Sequence, residues 1–82
     1  MIAIVDATLD PYTNVYGYVT VQVIRDGVVD HDAELPSQID DICRAQWPSP
    51  DAKGCQQDVA EARRMMVALG YTVLDGDMQP VE

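Results

Sequence analysis

Eighty-two residues with 48% hydrophobic content suffice for one small domain with a two-layer core. The formal net charge of -9 argues against direct binding to nucleic acid or to anionic membrane, since both need a basic footprint. It permits a basic protein partner, or simple solubility.

With no phenylalanine and one tryptophan, the core must be aliphatic. No stretch approaches the ~20 apolar residues that span a bilayer. The opening MIAIVDATLD lacks the positive flank and apolar length of a signal peptide. The expectation is a cytoplasmic protein, in which two cysteines are more often free thiols than a disulfide.

Residues 1–5 are apolar and β-branched and predict a first strand, running on toward Ala7 or Thr8. Asp10-Pro11-Tyr12-Thr13-Asn14 is turn chemistry, because proline presets a turn position and Asp and Asn bond their own backbone. Residues 15–35 then predict a long hairpin about Asp26-Gly27. Gly17, Val19, Val21 and Val23 alternate with Tyr16, Tyr18, Thr20 and Gln22. The return strand sets Val29, His31, Ala33 and Leu35 against Asp30, Asp32 and Glu34. A two-residue loop would place valines opposite carboxylates on one face. A three-residue Arg25-Asp26-Gly27 loop, with Gly27 left-handed in a bulge, pairs Val23 with Val29 and Val21 with His31. It also pairs Gln22, Thr20 and Tyr18 with Asp30, Asp32 and Glu34. The bulged hairpin is therefore the expected form.

From Leu35 the period changes. Leu35, Ile39, Ile42 and Cys43 share a helical face, and Pro36 suits a first turn, so residues 36–46 predict a helix. Trp47 before Pro48 ends it, and Trp47 is expected to pack on the core. Ser49 as N-cap predicts a second helix over residues 50–69, ending at a left-handed Gly70. Its apolar stripe is Cys55, Val59, Ala62, Met66 and Leu69, widened by Met65. Gly54 weakens its first turns. Residues 71–74 form a last strand, and the polar tail from Asp77 to Glu82 offers Met78 and Val81 for packing. The order β-β-β-α-α-β predicts a single α+β domain: a small antiparallel or mixed sheet with two helices on one face.

The helices leave the other sheet face open. Carboxylates at Asp30, Asp32 and Glu34 on a strand would recur every ~6.6 Å, close to the spacing of backbone phosphates. Tyr16, Tyr18, Thr20 and Gln22 beside them add rigid amphipathic contact area. These seven residues are the expected partner-binding surface, against the alternative of a solvated wall that discourages edge-to-edge aggregation. The other carboxylates read as solubilising, with Asp10 and Asp75 as turn-formers. Arg63, Arg64, Lys53 and Arg44 read as solvated helix charges, with local pairs Glu61–Arg64 and Asp40–Arg44.

A bend near Pro48 brings Cys43 and Cys55 close. Buried free thiols are expected, with a disulfide as the alternative outside a reducing compartment. There is no metal-ligand spacing and no calcium loop, so no metal or cofactor is expected. His31 with a cysteine would need an electropositive setting to act as nucleophile and base, which this acidic chain does not supply. An enzyme is not expected.

No motif assigns the chain to a family. In overall character, small, acidic and without catalytic groups, it is similar to many phage- or mobile-element-encoded inhibitors, anti-CRISPR and anti-restriction proteins among them. That resemblance implies a protein that covers a basic, nucleic-acid-binding surface of a partner complex. The rival expectation is a structural or assembly module that forms a homodimer through a strand edge or helix face.

Overall fold

The structure, a computed structural model, describes residues 1–12 and 16–81. Thr13 and Asn14 of the expected turn, Val15 at the start of the expected hairpin and Glu82 of the expected tail lie outside the described residues. The chain forms β1 (Ile2–Leu9), β2 (Gly17–Arg25), β3 (Val28–Val29), α1 (Ser37–Arg44), α2 (Lys53–Ala68) and β4 (Thr72–Leu74). The element order and α+β class agree with the sequence reading. The sheet is mixed, in the order β3-β2-β1-β4: β1 is antiparallel to β2 and parallel to β4.

Alternation sorts the two sheet faces. Ala3, Val5, Val19, Val23 and Val73 are buried, with Ala7 and Val21 packed beside them. Against them the helices place Ile39, Cys55, Val59, Ala62 and Met66. Both helices thus cover one face, as the valine stripe of β2 requires. Leu69 leaves the expected stripe and is exposed, because the helix has already ended. Gly70, at φ 94°, turns the chain so that Gly70 N–H reaches Val67 C=O and Tyr71 N–H reaches Met66 C=O. These two bonds satisfy carbonyls the helix leaves open and aim Tyr71 at the core.

The hairpin differs from expectation. Arg25 pairs with Val28 and Ile24 with Val29, so the loop is the two residues Asp26 and Gly27, both at positive φ. That is the conformation Asp-Gly favours between strands. A two-residue loop sets carboxylates against valines only where the return strand is long. Instead pairing stops: Asp30 N–H bonds Val23 C=O, and the Asp30 carboxylate accepts from Asp32 N–H to turn the chain away. A carboxylate opposite Val23 would enter the core if the strand continued. Ending β3 after two residues removes the conflict. His31 is accordingly exposed in a turn, not paired with Val21.

The helices are shorter than expected. Pro36 is the residue before α1 and not its first turn. Ala52 stands at the start of α2 and Ser49 makes no side-chain cap; Ser49 C=O instead accepts from Ala52 N–H. Trp47 explains this. Its N–H and C=O both bond Gly17 at the start of β2, which ties the chain to the sheet at one residue before residues 48–52 bend and turn into α2. Gly17 and Gly54 permit it: a β-carbon on Gly17 would overlap the Pro50 backbone, and one on Gly54 would overlap the Trp47 indole.

Beyond β4 the tail returns on the sheet. Asp75 Oδ1 accepts from Asp77 N–H and Gln79 N–H, Pro80 bridges Leu74, and Val81 N–H bonds Val73 C=O. Val81 packs on the core, whereas Met78 is exposed.

Candidate functional site

The seven residues expected to form one surface fall into two places. Tyr18, Thr20 and Gln22 lie on the open face of β2, opposite Thr8, Asp6 and Ile4 of β1. They do not oppose Asp30, Asp32 and Glu34. Tyr18 stands five positions before Val23, where Asp30 pairs, which is about 16 Å along a strand at ~3.3 Å per residue. The cause is the short β3: with no return strand, the carboxylates stay in a loop at the far end of β2.

At that end the residues do converge. Asp26, Asp30, Asp32 and Glu34, with Arg25 and His31, line an open concavity of about 620 Å³. Asp40 and Asp41 are exposed on the first turns of α1, just beyond the loop. Arg25 makes the ion pair of this region, 3.4 Å from Asp30. Asp32 and Glu34 are exposed, and no ion pair among the described residues engages them.

At the other end Tyr16 and Tyr18 join Tyr12, Pro11, Arg44 and Gln46 around a depression of about 360 Å³. Tyr12 is 95% exposed. Asp10 Oδ1 accepts from Tyr12 N–H, as expected of a turn-former, and Asp10 itself is buried.

Between these ends the open face carries a cluster that the sequence reading missed. Ile2 and Ile4 of β1 pair with Ile24 and Gln22 of β2, and with Thr72 and Leu74 of β4. Ile24 in turn pairs with Val29. Cross-strand partners share a face, so Ile2, Ile4, Ile24, Val29 and Leu74 form one apolar patch. None belongs to the core or to the side chains packed on it. The available signal was residues 2–5, Ile-Ala-Ile-Val, apolar on both faces of a strand in a chain whose helices cover one face.

Asp6 and Arg63 were also missed as partners. β4 pairs with β1 no further than Ile4. Beyond it, Val5 C=O accepts from Arg63 Nε at 3.2 Å and Nη2 at 2.9 Å, while Ala7 N–H donates to Asp6 Oδ1 at 2.8 Å. Asp6 Oδ2 also accepts from Gly76 N–H at 2.8 Å, and Arg63 lies 3.8 Å from Asp6. Arg63 is therefore a strand-edge clamp and not a solvated charge. Arg64 pairs with Glu61 as expected.

Cys43 and Cys55 are both free thiols, so the alternative disulfide is not formed. Burial pushes each thiol above its ordinary value. Asp40 adds to the effect at Cys43, and Asp58 and Asp51 add to it at Cys55. A thiol held protonated among carboxylates is a poor nucleophile. Among the described residues no group of three or more His, Cys, Asp or Glu is placed to hold a metal ion. No helix among them is long and apolar enough to cross a membrane.

Comparison with known protein families, with curated proteins and with solved structures finds no match to this chain.

Proposed function

We propose that this protein is a non-enzymatic acidic binding module, a small inhibitor type, whose hairpin end covers a basic surface of a partner protein. The observation that carries the reading is the concavity lined by Asp26, Asp30, Asp32 and Glu34, continued by exposed Asp40 and Asp41. Field from one sign of charge steers an oppositely charged partner into contact. A basic surface that binds nucleic acid is the natural class of target, because carboxylates can occupy the places of phosphates. The resemblance in character to phage- and mobile-element-encoded inhibitors, such as anti-CRISPR proteins, points the same way.

Asp32 and Glu34 are the clean probes, since Asp30 also shapes the turn through Asp32 N–H and Arg25. A double Asp32→Lys, Glu34→Lys variant should lose at least about ten-fold in affinity for a basic partner, with unchanged thermal unfolding. Wild-type affinity should fall between low and high salt. Binding that survives both changes would remove the hairpin end from the interface.

The assembly alternative is favoured by one observation: Val28 and Val29 are exposed on the edge strand β3. A dimer through that edge would persist in high salt, which light scattering across concentration reads directly.

A further inference from the structure

We infer that the tyrosine-lined depression at the start of β2 is a binding site for an extended, proline-rich segment of a partner protein. It lies at the opposite end of β2 from the hairpin carboxylates and does not depend on the acidic reading.

Three separate parts of the chain build the site. Asp10 N–H bonds Tyr16 C=O and Asp10 Oδ1 accepts from Tyr12 N–H, so the turn after β1 sets Tyr12 beside the start of β2. The first of these bonds carries the ladder one residue beyond β2, which leaves Tyr16 and Tyr18 on one face, two positions apart. Gly17 exchanges both backbone bonds with Trp47, and this brings Gln46 and the last turn of α1, with Arg44, to the same edge. The lining of the resulting depression, about 360 Å³, includes Pro11, Tyr12, Tyr16, Tyr18, Arg44 and Gln46. That volume is in the range of ligand sites, ~300–1,000 Å³.

The lining combines flat apolar rings with hydrogen-bond donors. Tyr12 is almost fully exposed, and Arg44 and Gln46 are exposed. Arg25, Arg63 and Arg64 each pair with a carboxylate, whereas no ion pair among the described residues engages Arg44. Its guanidinium, the Gln46 amide and the tyrosine hydroxyls can all donate. The carboxylate at the site, Asp10, is buried, and its Oδ1 already accepts from Tyr12 N–H.

That combination selects the occupant. A polyproline II segment has apolar rings, carbonyls with no internal partner, and no N–H at its prolines. Aromatic rings take the prolines and the donors take the carbonyls. A helix uses its own carbonyls and leaves these donors unmet. A saccharide brings hydroxyl donors that need acceptors, and the carboxylate here is buried. A nucleic acid would bring phosphates to a chain of net charge -9.

The test titrates the full chain with a synthetic uncharged proline-rich peptide and with a control in which alanine replaces every proline. Amide chemical shifts report binding and its place. The proline-rich peptide should bind at least about ten-fold more tightly, because its extended form is preorganised. Shifts should centre on Tyr12, Tyr18 and Gln46. Tyr12→Ala and Arg44→Met should each weaken binding at least about five-fold, with thermal unfolding unchanged because both side chains are exposed. The Asp32→Lys, Glu34→Lys variant should bind the peptide as the wild type does. Equal affinity for the two peptides, no binding, or shifts confined to the hairpin end would overturn the site and leave the acidic reading standing. Tighter binding of a disaccharide or a nucleoside monophosphate at the same residues would overturn the occupant.

Discussion

On an isolated helix, glycine at position 54 costs about 1 kcal/mol relative to alanine. Here the sign reverses, because the Trp47 indole occupies the space a β-carbon would take. Gly54→Ala should destabilise the protein by about 1–3 kcal/mol in urea unfolding; a gain in stability would show that the indole moves freely. The two thiols make a second residue-level case. Burial first, then Asp58 and Asp51, raise the Cys55 thiol above its ordinary 9.0, and burial and Asp40 raise Cys43 against a backbone bond with Val21. A raised value means the folded state holds the thiol protonated. This stabilisation is complete below the unfolded value and is lost as pH rises through the folded one. The melting temperature of the wild type should therefore fall more steeply as pH rises above 9.0 than that of Cys55→Ala. Parallel slopes would assign the alkaline loss to other groups.

At the scale of elements, the short strands explain most of the polar contacts. β4 pairs with β1 only through Ile4, so the next carbonyl of β1 needs a donor from elsewhere, and α2 supplies Arg63. Arg63→Met keeps the aliphatic stem and removes both donors. It should cost about 1–3 kcal/mol, the desolvation penalty of an orphaned carbonyl. Asp6 would also lose its nearby cation. Hydrogen exchange should rise at Gly76, whose N–H Asp6 holds. If exchange there is unchanged, the Asp6 clamp stands without Arg63. β3 follows the same logic from the other edge: it ends where its next side chain, Asp30, would face Val23.

For the molecule as a whole, charge is the dominant global quantity. Fourteen acidic side chains face five basic ones, and Arg25, Arg63 and Arg64 are already engaged by Asp30, Asp6 and Glu61. The remaining carboxylates repel one another across a small sphere, which opposes the compact state. Raising ionic strength from about 0.02 M to 0.5 M shortens the screening length several-fold. It should stabilise the fold by about 1 kcal/mol, a rise of roughly 4–8 °C in melting temperature for a domain of this size. Calorimetry showing no rise would mean that the carboxylates are too dispersed to matter. The same screening should weaken a complex with a basic partner, so salt is expected to move stability and binding in opposite directions.

Much of the fold was legible because its signals are local. Valine alternation in β2, the apolar stripes of both helices, the left-handed Gly70 and the turn chemistry of Asp10 and Asp75 depend on neighbours a few residues away. Sequence alone thus determined the element order, the face each helix buries, the aliphatic core and the acidic character of the surface. Tertiary structure decided where strands stop and what lies across from them. The hairpin loop closed at two residues, because the cost of setting carboxylates against valines arises only if the strand continues past Val29. The candidate surface divided for the same reason, leaving Tyr16 and Tyr18 at one end and Asp30, Asp32 and Glu34 at the other. Pairing β1 with both β2 and β4 then assembled an apolar patch from residues as distant as Ile2 and Leu74. No local pattern encodes such a patch, since it exists only where separate strands are brought side by side.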